Sequence, residues 1–476
     1  MSQPERGGES APRQAHSHTL GLAAAGVRAS ARLRYSAYAL LILVAASTVV
    51  GLVWLWPDYD RVSQIAERAS YQTAEVGSAE GEILGIEACE TPEVVLPETE
   101  RNRPVPMLPA CQLLSVGLLT GPDRGRVIDT EARGTFASSG LRVGDQVQLT
   151  TFPNNDPSQQ NVSPRYGLSK NYEVSGVIRH LPLAAIGLLF AAVVIVVGRL
   201  RGLLALAALG VAAAVLLGFV LPALVAGGPG LLIGVVASSA IMFVTLFFVH
   251  GLNLRTTSAL IGTLAGIVII SAVSWVSVQL TRLSGLGDET SGLLSSMVSE
   301  IDFRGLLTCS ILIAGLGVLN DVTITQASSV WELRAAAPQL TRREIYASAM
   351  RIGRDHIAST VYTVFFAYAG AAIGALILLY LYNRPMLILL TQEDIAIEIV
   401  RTAAGSIGLV LAVPITTAVA AMFVPAARQD GEWSARATEQ GAFGGVSPRL
   451  TARHRRRLEA PQRALRARTR KSIEPW

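Results

Sequence analysis

The chain has 476 residues, 51% of them hydrophobic and only 16% charged, with a formal net charge of +5. Its mean hydropathy is +0.43. Apolar content this high, with charge confined to the segments between long apolar runs, excludes an ordinary soluble fold and marks a membrane protein.

Residues 1–36 form a basic tail holding Arg6, Arg13, Arg28, Arg32 and Arg34, read as disordered. The first apolar run, 37–56, is long enough to cross a hydrocarbon layer of about 30 Å, which takes roughly 20 helical residues. A removable signal peptide is the competing reading. However, Trp54-Leu55-Trp56-Pro57 offers no A-x-A cleavage pattern, and the two Trp residues suit an interfacial anchor. The run is therefore taken as a retained signal anchor.

Residues 57–180 are the one sizeable hydrophilic region, long enough to bury a core of their own. Short alternating runs at 82–86, 112–119, 126–128, 143–149 and 172–178 are separated by Gly/Pro/Asp turns and predict a small β domain, barrel or sandwich-like. The Pro/Asn-rich stretches 92–109 and 153–164 read as loops. Cys89 and Cys111 both fall in this domain, while Cys309 lies in a later apolar run. In an exported domain the pair either oxidises, contributing about 3 kcal/mol, or stays as two thiols. Asn161-Val162-Ser163 is a glycosylation sequon, read as a chance occurrence of a short pattern.

Residues 181–424 carry seven more apolar runs, at 181–198, 203–226, 231–249, 256–280, 305–319, 358–381 and 402–424. Helices are the expected form, because a lipid-embedded backbone must satisfy its own polar groups. The fold class is thus a membrane protein: an all-α bundle of about eight transmembrane helices with an inserted small extracytoplasmic β domain.

The Arg residues orient the bundle. The N-terminal tail is one cluster, and the loop 321–357 holds Arg334, Arg342, Arg343, Arg351 and Arg354. The C-terminal tail 425–476 is the densest, with Arg453, Arg455, Arg456, Arg457, Arg463, Arg466, Arg468, Arg470 and Lys471. The short segments 227–230, 281–304 and 382–401 hold only Arg282, Arg304, Arg384 and Arg401. Eight crossings bring every Arg-rich segment to one side, which the positive-inside rule makes the cytoplasm, with both termini there. Lys170 and Lys471 are the only lysines, which suggests a GC-rich bacterial genome and an inner (plasma) membrane location. The basic tail beside a membrane implies either contacts with anionic lipid or a merely solvated end, rather than nucleic acid.

The run 305–319 is the most informative. At about 15 residues it falls short of a span, so polar groups must enter the bilayer at one end. The candidates at its inner end are Asn320, Asp321, Thr323, Thr325, Gln326 and Ser328, a substrate or ion path, with Asp321, Thr325, Ser328 and Glu332 on one helical face. Gly315 and Gly317 would interrupt the segment, as at transporter binding sites. The alternative is a tilted helix whose polar ends snorkel to the interface.

Elsewhere the signals are of packing. Gly262-xxx-Gly266 and Gly370-xxx-Gly374 allow close helix approach. Pro414 should kink the last run and free the Val410 carbonyl, with Thr416 and Thr417 as compensating donors or lining a passage. Ser238, Ser239, Thr245, Thr263, Ser271, Ser274 and Ser277 make the runs 231–249 and 256–280 hydroxyl-rich. Thr341-Arg342-Arg343-Glu344 is a capping box that should start an amphipathic helix along the inner surface.

Two stretches resemble a family. Gly317-Val318-Leu319-Asn320-Asp321-Val322-Thr323-Ile324-Thr325-Gln326-Ala327-Ser328 is similar to a hallmark of the YibE/F-like bacterial membrane proteins. Gly353-Arg354-Asp355-His356-Ile357-Ala358-Ser359-Thr360, followed by Ala367-Tyr368-Ala369-Gly370, resembles a second. The chain departs from the pattern at Tyr362-Thr363-Val364, where the resemblance implies Asn-Thr-Leu. The resemblance implies the multi-pass layout of anchor, β domain and bundle, and implies no activity.

There is no G-x-x-x-x-G-K-[ST], H-E-x-x-H or G-x-S-x-G motif and no Cys/His cluster with metal spacing, so neither an enzyme nor a cofactor or metal site is expected. Two functions stand: a secondary transporter or permease of a small solute or ion, or a cell-envelope scaffold acting through its β domain.

Overall fold

The computed structural model describes residues 31–71, 77–89, 111–151, 172–287, 289–381 and 385–426. Most of the two tails, the expected loops 92–109 and 153–164, and Asn161 lie outside the described residues. Among the described residues, six helical stretches are long and apolar enough to cross a membrane: Leu33–Trp54, His180–Val225, Gly230–His250, Leu254–Thr281, Phe303–Ala336 and Glu393–Phe423.

Helix α1 (Ala31–Trp54) is followed by α2 (Tyr59–Tyr71), an amphipathic helix within what the sequence suggested was wholly β. Its Ile65 is buried against Val298 and Ile301, and Arg68 pairs with Glu300 at 3.2 Å. A stripe of 13 residues was too short to stand out from the hydrophilic region around it.

Strands β1 (Gly77–Ala88), β2 (Cys111–Leu118), β3 (Val127–Arg133), β4 (Gln146–Thr151) and β5 (Tyr172–Val177) form one antiparallel sheet in the order β3-β2-β1-β4-β5. Alternate residues face one core containing Ile83, Leu114, Val116 and Leu149. A bulge between Ile83 and Gly85 bends the central strand. The sheet curls until the Thr130 hydroxyl of β3 donates to the Tyr172 carbonyl of β5 at 2.9 Å. The result is a half-barrel and not a two-sheet sandwich. Cys89 and Cys111 are joined as a disulfide, Cα–Cα 5.5 Å, between the end of β1 and the start of β2.

Helix α3 (His180–Val215) spans two of the apolar runs. It breaks at Arg199, φ 53° and ψ −134°. A Cβ on Gly202 would lie 2.1 Å from the Val194 carbonyl oxygen. Residues eight apart on a straight helix are about 12 Å apart, so the chain turns sharply there. A π-helical turn, Leu216–Val220, leads into α4 (Leu221–Val225).

The bundle core is built from α5 (Gly230–His250), α6 (Leu254–Thr281), α8 (Phe303–Ala336) and α12 (Glu393–Phe423), with Leu260, Ile267, Ile311, Leu312 and Leu319 all buried. Between apolar helices in lipid, cohesion comes from close packing rather than from transfer out of water. Gly262 shows how close: its hypothetical Cβ would sit 1.9 Å from the Thr416 hydroxyl oxygen of α12. Gly370 and Gly374, by contrast, meet nothing within 4 Å, so that pair does not serve the packing expected of it.

Three expectations need correction. Gly315 and Gly317 do not interrupt the sixth run, since α8 continues unbroken for 34 residues. Gly315 instead lets α8 approach α12, its Cβ position lying 3.7 Å from the Gly405 Cα. Pro414 lies inside α12, and the hydroxyls of Thr416 and Thr417 do not compensate at Val410, since they donate to the Ala412 and Val413 carbonyls. The last run also begins earlier than 402, so Arg401 lies within a helix and not in a loop.

Of the remaining elements, α7 (Glu289–Met297) was not anticipated. Helix α9 (Arg342–Ala371) starts at the expected capping box, with the Thr341 side chain and Glu344 bonding reciprocally. The run 358–381 is divided between α9 and α10 (Ile373–Leu381) at Ala372. A short α11 (Met386–Leu390) precedes α12.

Candidate functional site

Helix α8 carries all six predicted path residues, and its 3.6-residue period sorts them into two sets. Thr323 and Gln326 face inward and are buried, at 0% and 2% exposure. The Thr323 hydroxyl lies 2.7 Å from that of Thr263 on α6. Gln326 donates from Nε2 to the Ala349 carbonyl of α9 at 3.0 Å and to the Thr417 hydroxyl of α12 at 2.8 Å. One buried amide therefore ties three helices together. Asn320 is half-buried, with its Oδ1 enclosed and without a hydrogen-bond partner. Buried amides normally find partners for both ends, so this acceptor is notable.

The second set points elsewhere. Asp321 is exposed, and Thr325 and Ser328 are half-buried. Thr325 and Ser328 line a cavity of 640 Å³ at the C-terminal end of α8, beside the α5–α6 turn. Leu306, Leu307 and Ser310 line another, of 680 Å³, at its N-terminal end. Leu306, Leu307 and Ser310 precede Ile324, Thr325 and Ser328 by 18 residues, five full turns, so both cavities open on one face of α8. Asp321 lies on that face between them, about 17 Å along the helix from Ser310 and about 10 Å from Ser328.

The cavity at the N-terminal end contains charged residues that sequence reasoning missed. Glu398 and Arg401 form an ion pair on α12, and Arg401 lies over the Tyr368 ring, 5.9 Å from its centroid. The Oε2 of Glu398 and the Nε of Arg401 are buried without hydrogen-bond partners. Nearby, Glu393 accepts from the Ser284 amide and hydroxyl and from the Gly285 amide, at 2.7, 2.6 and 2.9 Å, which fixes the end of α6 to the start of α12. The available signal was the Glu398/Arg401 spacing of three, which reads as a helical turn. No group of three or more His, Cys, Asp or Glu residues is arranged to hold a metal among the described residues.

A family profile described as YibE/F-like protein matches residues 186–426, just over half of the chain. The chain belongs to the YibE/F-like family. Both hallmark stretches fall inside the match, and they meet in space: Gln326 of the first contacts Ala349 and Gly353 beside and within the second. The matched part of this YibE/F-like chain holds both cavities and the buried Thr/Gln cluster, whereas the half-barrel precedes it. No curated protein and no solved structure matches the chain.

Proposed function

We propose that the protein is a secondary transporter or permease of a small solute or ion in a bacterial inner membrane. The observation that carries this reading is the pair of cavities opening on one face of α8 with the Asp321 carboxylate between them. A solute pathway needs access from both sides, and the two cavities lie at opposite ends of α8.

The accompanying topology has eight spans. The two segments of α3 on either side of Arg199 serve as separate crossings, and α9 together with α10 supplies the seventh. Both tails, 1–36 and 425–476, and the segment that follows α8, 337–357, then lie in the cytoplasm, and the half-barrel lies outside. The Glu398/Arg401 cavity faces outward and the Thr325/Ser328 cavity faces inward. The charged residues at membrane depth, rare and costly in lipid, are the ones expected to line such a route. No catalytic residue enters this reading.

The test is flux. In proteoliposomes, Asp321→Asn should abolish movement of a transported solute while the protein stays folded and monodisperse. Undiminished flux in Asp321→Asn would overturn the reading.

A further inference from the structure

The cavity at the C-terminal end of α8 has a charge balance that the path of a solute does not by itself explain. It is lined by Arg201, His250, Arg255, Thr325, Ser328 and Trp331, among others. These come from three parts of the chain: the turn that breaks α3, the α5–α6 turn, and the last turns of α8. No carboxylate is among the described lining residues, and Glu332, which pairs with Arg255 at 3.2 Å, is itself 71% exposed. Arg201 has no ion-pair partner among the described residues. The Nε1–H of Trp331 is buried and lacks an acceptor.

Two guanidiniums, an unsatisfied indole N–H and the Ser328 hydroxyl make a surface rich in donors, while the Thr325 hydroxyl already donates to the Asp321 carbonyl at 2.8 Å. A buried donor left without a partner costs about 1–3 kcal/mol, so a ligand that accepts from it is favoured. Guanidinium forks match tetrahedral oxyanions in geometry as well as charge. Glu332 shows that the Arg255 fork engages an oxyanion, and its exposure means that the carboxylate is easily exchanged.

We propose that this cavity is a binding site for a phosphate-class anion, held by Arg201 and Arg255 with the Trp331 N–H as an additional donor. Two sources offer that chemistry: the headgroup of an anionic phospholipid and free inorganic phosphate. The proposal does not rest on the transport reading, because binding is measured without flux.

Purified full-length protein in a neutral detergent is titrated with inorganic phosphate, with short-chain phosphatidylglycerol and with short-chain phosphatidylcholine, and tryptophan emission is followed. One of the two anionic probes should give a saturable change that is missing in Trp331→Phe, and phosphatidylcholine should give none. Saturation by phosphatidylglycerol alone assigns a lipid headgroup, and saturation by phosphate assigns a soluble anion. Arg201→Gln and Arg255→Gln should each weaken binding about tenfold or more, the loss expected for one charged hydrogen bond. The exposed Arg343→Gln should leave it unchanged. Glu332→Gln, by releasing Arg255, should tighten binding, a direction that misfolding cannot produce. If neither anion saturates, or if both Arg variants bind like the parent, the site does not exist.

Discussion

Gly353 of α9 and Gln326 of α8 pack so closely that a Cβ on the glycine would lie 3.0 Å from the glutamine Oε1 and 2.9 Å from Val413 Cγ1. Because the glycine presents only backbone there, α9 comes near enough for its Ala349 carbonyl to accept from Gln326 at 3.0 Å. Gly353→Ala should therefore cost about 1–3 kcal/mol by overpacking, and Gly353→Val more. Thermal unfolding in detergent should show the order wild type, Ala, Val. A Gly353→Ala protein melting with the parent would show that the contact relaxes freely.

The Thr263–Thr323 hydroxyl pair links α6 to α8 at 2.7 Å, and both residues are fully buried. With one proton each, one hydroxyl donates across the pair while the other donates to a carbonyl of its own helix, Ala259 for Thr263 or Asn320 for Thr323, and either can turn to its own carbonyl when its partner is lost. Thr263→Val, Thr323→Val and the double variant form a cycle whose coupling should be about 0.6 kcal/mol, typical of interhelical bonds in membranes. A coupling of zero within error would mean that the hydroxyls merely touch.

At the start of α9, the Thr341 amide and hydroxyl both donate to Glu344 and hold its carboxyl below the usual carboxylate range. A depressed carboxylate pKa means that the folded state prefers the ionised form. The stabilisation is therefore present above the unfolded pKa and is lost as pH falls through the lower, folded one. Amides in the first turn of α9 should lose protection against hydrogen exchange, after correction for intrinsic rates, as the medium is acidified below about pH 5. The first turn of α6, capped by the non-titrating Asn253 side chain at 2.9 Å, should not. Glu344→Gln should abolish the difference between the two helix starts.

The Cys89–Cys111 bridge closes a loop with a sequence separation of 22. Its removal should destabilise the half-barrel by about 3 kcal/mol, on the order of a hundredfold in the opened population. Limited proteolysis within β1–β5 should accelerate accordingly in Cys89→Ser/Cys111→Ser and on reduction of the parent. Cys309→Ser should have no such effect, since that thiol is unpaired and buried in α8.

Much of the fold was legible because lipid imposes a length on helices and a sheet imposes alternation on strands. The runs around α5, α6 and α8, the strands from Gly77 to Val177 and the capping box at Thr341 all followed from those two constraints. The start of α12 did not, because Glu393, Asp394, Glu398 and Arg401 interrupt the apolar pattern while satisfying helical spacing. The α8 polar face was legible as a periodicity, yet its partners were not. Thr323 and Gln326 turn toward α6, α9 and α12, whereas Thr325 and Ser328 turn toward Arg201, His250 and Arg255, residues 70 or more positions away in the chain. Local periodicity says which residues share a face, and only tertiary packing says what that face meets.

The Glu398/Arg401 pair offers the sharpest energetic test of the cavity at the other end of α8. Each side chain is about three-quarters enclosed, and each keeps one buried atom without a hydrogen bond. A partly buried pair contributes little net stability, but removing one partner leaves an uncompensated charge. Arg401→Ala should thus destabilise more than the double variant Glu398→Ala/Arg401→Ala, by about 1–3 kcal/mol after allowance for the residual exposure. Thermal unfolding of the two singles and the double decides it. If the double variant is the least stable of the three, the two charges act independently, and the cavity is wet enough to solvate each alone.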